Sequence, residues 1–187
     1  MPVRSFASPR AWKAWLEKHH EDPQGLWLKI AKKNSGVTTV SYAEALEVAL
    51  CYGWIDGQKG KLDEQYFVQR FTPRRSRSKW SKINCTKATE LIEKGEMKPA
   101  GMREVERAKA DGRWAAAYEG QRTATVPEDL QRELDRNKRA REFFATLSSV
   151  NRYAILYRIQ DAKRPETRAK RIEKYIQMLA DHKTIHP

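Results

Sequence analysis

Only three short stretches of this chain alternate with a period of two, and all of them precede residue 72. Leu26, Leu28 and Ile30 alternate with Trp27, Lys29 and Ala31, which predicts a strand of about six residues. Trp54-Ile55-Asp56 and residues 66–71 read as the two arms of a hairpin. The connection holds Gly57, Gly60 and Lys61-Leu62-Asp63-Glu64, so it is longer than a tight two-residue turn. In the second arm Tyr66, Val68 and Arg70 share one face, and Phe67, Gln69 and Phe71 share the other. Pro73 ends the pairing because it has no N–H to give to a ladder. These strands predict a small antiparallel sheet confined to the first part of the chain.

The remaining segments follow helical spacing. Ser8-Pro9 opens a helix, with Ser as N-cap and Pro where a missing N–H costs nothing; Trp12, Trp15 and Leu16 follow. Ser41 and Glu44 form a capping box, and Gly53 supplies the left-handed stop. A helix after Ser78 places Trp80, Ile83, Asn84, Ala88, Leu91 and Ile92 on one stripe, and Gly95 stops it. Pro99 starts another that ends at Asp111-Gly112, and residues 113–118 read as a short alanine-rich helix. From Pro127 onward the pattern is helical throughout, and Ala169, Ile172, Ile176 and Leu179 are the expected inward residues of the last helix. The fold class expected is therefore α+β, with an α+β domain over residues 1–120 and a helical region over 121–187. Residues 120–125, polar and without periodicity, are the linker.

Charge is distributed as unevenly as the pattern. Lys+Arg 37 against Asp+Glu 24 leaves a net +13. Residues 65–89 hold seven basic groups and no acid, more than half of that excess. Such a block makes a local positive potential that its own segment cannot neutralise. The 18 aromatic residues exclude a disordered polyelectrolyte. No apolar run approaches the ~18 residues of a membrane span. The start of the chain lacks the apolar core of an export signal, so a cytoplasmic location is expected. Cys51 and Cys85 have neither CxxC spacing nor a supporting cluster, which predicts free thiols. His19 and His20 are adjacent, while His182 and His186 lie at an end expected to fray, so no metal is expected. No cofactor motif is present.

The candidate site follows from the basic block. Arg70, Arg74 and Arg75 are guanidinium forks suited to phosphate or carboxylate oxygens. Ser78 and Ser81 are hydroxyl donors, Trp54 and Trp80 candidate walls, and Asn84 lies one turn into the helix. A helix starting near Ser78 would aim its free amides at the same place. Asp56 is the most enzyme-like residue, although its simpler role is to hold turn amides or orient the arginines. The site predicted is a groove between the 54–71 hairpin and that helix, taking a small anionic ligand or phosphate group. Weak, salt-sensitive nucleic-acid binding accompanies such charge.

Residues 49–57 (Ala-Leu-Cys-Tyr-Gly-Trp-Ile-Asp-Gly), Arg70-Phe71-Thr72-Pro73-Arg74-Arg75 and Ser78-Lys79-Trp80-Ser81-Lys82-Ile83-Asn84 together resemble the YdeI/OmpD-associated, or bacteriocin-protection, family. Asn151-Arg152 and residues 162–169 resemble that family's helical carboxy-terminal region. The resemblance implies a bacterial or archaeal protein and a non-enzymatic binding or stress-protection role, with no settled reaction. The competing expectations are an enzyme using Asp56 on a small anionic substrate and a non-specific nucleic-acid binder.

Overall fold

The computed structural model describes residues 2–187, which divide into two compact units, residues 2–117 and 118–187. In the first, helix α1 (Pro9–His19) starts where the Ser8 hydroxyl accepts the Ala11 N–H, with Pro9 in the first turn. Strand β2 (Leu26–Ala31) buries Leu26, Leu28 and Ile30 and leaves the alternate residues half-buried. Helix α2 (Tyr42–Cys51) begins on the capping box of Ser41 and Glu44. Gly53 ends it at φ +72°, where a β-carbon would stand 2.9 Å from the Ala100 carbonyl oxygen. That turn launches β3 (Trp54–Lys61), and β4 (Tyr66–Pro73) returns antiparallel to it.

β4 pairs on its other side with β2, also antiparallel, and the sheet order is β1-β2-β4-β3, β1 being Val3–Arg4. The outermost strand, β1, runs parallel to β2, so the sheet is mixed rather than purely antiparallel. Two residues are too few to show a period, and β1 is placed by non-local bonding, including Trp27 N–H to the Pro2 carbonyl. β3 is longer than the three residues expected because a bulge between Asp56 and Lys59 lets pairing resume at Lys59, Gly60 and Lys61. The buried Gln69 amide holds the bulge by donating to the Gly57 carbonyl at 2.8 Å and the Gln58 carbonyl at 3.3 Å.

The core lies between one sheet face and helices α1 and α2. Trp12 stacks on Trp15 and meets Trp54 edge-on, with Phe71 beside it. Two of the fully buried indoles have acceptors: Trp12 donates to the Ala45 carbonyl and Trp54 to the His20 carbonyl. Helix α3 (Lys82–Glu93) starts later than expected. Ser78 is spent in a turn, its hydroxyl accepting the Arg75 N–H, and Ser81 is the N-cap instead, accepting the Asn84 N–H. Trp80 therefore lies outside the helix. Helix α4 (Pro99–Ala110) follows, but residues 113–118 form no helix. Asp111 takes the Arg113 N–H, and the Trp114 N–H reaches back to the Ala108 carbonyl, which diverts the chain into turns. Cys51 and Cys85 are free thiols. Burial pushes the Cys51 thiol up to about 11.

The second unit is helical: α5 (Glu128–Arg136), α6 (Lys138–Thr146), α7 (Ser149–Gln160) and α8 (Pro165–Ala180). Its core includes Leu130, Leu134, Phe144, Ile155, Ile159, Ile172 and Leu179. In α8 the inward stripe is Ile172, Tyr175 and Leu179, and Ala169 is exposed, contrary to expectation. Arg168 takes the position one turn earlier, donating to Asp129 at 2.8 Å and to the Ile159 carbonyl at 2.9 Å. The chain end expected to fray is tied down: Asn151 accepts the Ile185 and His186 N–H groups and donates to the His186 carbonyl. Among the described residues no helix is long and apolar enough to cross a membrane.

Candidate anion-binding site

The basic block separates into buried and exposed members. Arg74 is only 6% exposed. Its guanidinium lies 3.6 Å from the Trp80 ring centroid and donates to the Lys79 carbonyl at 3.1 Å. Trp80 is 2% exposed and packs on Trp114 at 4.9 Å, so it is a core residue and not a wall of an open groove. Trp54 is fully buried, and the same correction applies to it. Both indoles bury large apolar area that the small sheet cannot leave in water.

The remaining predicted residues are dispersed. Ser81 and Asn84 are buried at the α3 N-terminus, where the Ser81 hydroxyl already accepts the Asn84 N–H. Ser78 caps the Arg75 turn, and its carbonyl accepts from Arg113 at 2.8 Å. Arg75 is exposed. Arg70 is half-buried, on the sheet face opposite Phe71. Asp56 accepts the Tyr42 hydroxyl at 2.9 Å and pairs across the ladder with Phe71. Its carboxylate is thus oriented by a tyrosine on α2, where an arginine was expected.

The lysines form a concave cationic site where the arginines do not. Lys32, Lys33, Lys59, Gly60, Lys61 and Phe67 line an open groove of about 630 Å³. No acidic side chain lines it. Pairing of β2, β4 and β3 assembles it: Ile30 stands opposite Phe67, and Phe67 opposite Lys61. The Lys59 ammonium sits 4.4 Å from the Phe67 ring centroid. Lys32 donates to the Asp63 carbonyl at 2.6 Å, which fixes its stem without neutralising its charge. Among the described residues none of these lysines is in an ion pair. Residues 1–64 balance to +1, so a count along the chain hides the site. The available signal is the pair Lys32-Lys33 directly after one strand and Lys59 and Lys61 at the hairpin end. No group of three or more His, Cys, Asp or Glu among the described residues is placed to hold a metal ion.

The architecture defines an α+β unit, with a four-stranded mixed sheet, joined to an all-helical unit. Residues 4–104 match the family model described as a domain of unknown function (DUF8412), and residues 123–182 match the model described as Bacteriocin-protection, YdeI or OmpD-Associated. The chain belongs to the DUF8412 family through its first unit and carries a YdeI/OmpD-associated region in its second. The dense motif at residues 49–84 lies within the first match, and the helical tail alone carries the second. Searches of curated proteins and of solved structures give no match.

Proposed function

We propose that this protein is a non-enzymatic factor that binds anionic molecules, and that the lysine groove at the end of its sheet is the binding site. One observation carries the reading: Lys32, Lys33, Lys59 and Lys61 line one groove together with Phe67, with no carboxylate in the lining. Like charges brought together repel, and a bound anion relieves that repulsion. The phenyl ring gives one apolar contact beside the charges, which suits a phosphorylated or carboxylated small molecule carrying a flat or apolar part. The bacteriocin-protection role in the name of the second unit's family fits such binding. A chain of net +13 is poorly suited to capturing a cationic antimicrobial peptide directly, so protection would act through an anionic ligand. Arg74, Trp80, Ser81 and Asn84 serve as scaffold in this reading.

The test is calorimetric titration of the full chain with inorganic pyrophosphate and, separately, with citrate. Saturable binding that weakens with added salt is expected, and the double variant Lys59→Gln/Lys61→Gln should lose at least tenfold in affinity. Binding undiminished in that folded variant would move the site elsewhere.

A further inference from the structure

The sheet has a second face that neither hydrophobic core takes in. Strand pairing sets Trp27 opposite Arg70, Lys29 opposite Val68, Ala31 opposite Tyr66 and Ile55 opposite Thr72. Alternation puts all of these on the side away from Leu28 and Phe71. Trp27, Ile55, Tyr66 and Val68 are half-buried and belong to neither core, and Val3, which pairs with Trp27 at the edge, is 56% exposed. Lys29 and Arg70 are the charged residues of these pairs, and no acid is among them. The Lys29 ammonium rests 3.7 Å from the Tyr66 ring centroid. Of the six tryptophans, Trp27 alone makes no ring or cation–π contact among the described residues. The other five pack against another aromatic ring.

We propose that this face binds single-stranded nucleic acid, with bases stacking on Trp27 and the apolar strip beside it, and phosphates held by Arg70 and Lys29. A sheet face presenting an unstacked indole, with a cation cross-strand from it at Arg70 and another two residues along its own strand at Lys29, suits a strand whose base faces are free. A duplex hides those faces within its own stack. The absence of an acid from the face removes the repulsion that would oppose a phosphate backbone. The proposal is independent of the lysine groove. Lys59 and Lys61 stand opposite Gln69 and Phe67, on the other face of the hairpin.

The test is fluorescence anisotropy of a short fluorescein-labelled oligothymidine titrated with the full chain, beside a labelled hairpin duplex and vesicles containing phosphatidylserine. Saturable binding that favours the single strand is expected. Trp27→Ala should weaken it roughly five- to 150-fold, the range for loss of one stacking platform, while Trp27→Phe retains most of it. Removing both cations in Lys29→Gln/Arg70→Gln should flatten the slope of log affinity against log salt by about 1.4. Should Trp27→Ala lose its circular-dichroism spectrum, this double variant decides on the same slope. Lys59→Gln/Lys61→Gln, which tests the groove, should leave the Trp27 dependence intact. Equal affinity for duplex and single strand, binding to vesicles alone, or an unchanged affinity in folded Trp27→Ala would overturn the proposal.

Discussion

Replacing Arg74 with Ala should unfold the first unit more readily and leave anion binding nearly unchanged. The side chain is 6% exposed, its guanidinium lies against the Trp80 ring, and it donates to the Lys79 carbonyl. Three buried methylenes contribute about 2.4 kcal/mol. A largely desolvated cation–π contact adds about 1.5 kcal/mol, and the hydrogen bond adds about 1 kcal/mol. Side-chain entropy recovered on truncation offsets about 2 kcal/mol of this, leaving a loss of about 3 kcal/mol. All six tryptophans lie in the first unit, so tryptophan emission follows that unit alone through a urea titration. At a slope of about 2 kcal/mol per molar, the midpoint should fall by about 1.5 M. Arg75→Ala, exposed a residue away, should stay within about 0.5 kcal/mol of the wild type. Arg74→Met keeps most of the packing and should fall between the two. An Arg74→Ala protein with an unshifted midpoint and abolished pyrophosphate binding would refute the structural role and restore the arginine block as the site.

Cys51, whose thiol burial holds at about 11, should react with iodoacetamide at pH 8 roughly a hundredfold more slowly than a free thiol, as followed by mass spectrometry; rapid labelling in the folded state would contradict its burial. Arg168 holds the Asp129 carboxyl below its ordinary range, so that group contributes stability above the unfolded value and loses it as pH falls through the folded one. Ellipticity of the second unit's helices should therefore weaken in thermal melts on acidification below about pH 4. Asp129→Asn should cost about 1.5–3 kcal/mol at neutral pH and blunt that acid dependence. Gln69→Leu removes the donor that satisfies the Gly57 and Gln58 carbonyls of the bulge. It should destabilise the first unit by about 1–3 kcal/mol in the same urea assay and weaken pyrophosphate binding through the displaced Lys59 and Lys61. A stable variant with full binding would show that the bulge does not position the groove.

Helix starts were legible because a cap is a bond between residues three apart. Ser8 and Ser41 each cap as their spacing predicts, and the capping box at Ser41 and Glu44 forms with both of its bonds. Ser78 shows where that reasoning stops. Ser78 and Ser81 offer the same hydroxyl, and the choice between them is made by the turn that Ser78 closes with Arg75. The two-residue strand β1 left no period to read, and its parallel pairing depends on contacts with β2 some 24 positions away, as the Val3–Trp27 pair shows. The charge block between residues 65 and 89 was visible as a sum, but not the fate of each guanidinium. Arg74 is drawn inside by Trp80, whose own burial depends on Trp114.

Chain-local bonding and periodicity thus determined the α+β succession, the hairpin and the caps at Ser8 and Ser41, since each is encoded within a few neighbouring residues, while the YdeI/OmpD-associated character of the tail was legible as a motif resemblance. Tertiary structure alone decided which cations are available. Lys32 and Lys33 meet Lys59 and Lys61 only because β4 pairs with both β2 and β3. A charge's surroundings depend on every group within a few ångströms in space, and residues that meet that way can lie far apart along the chain.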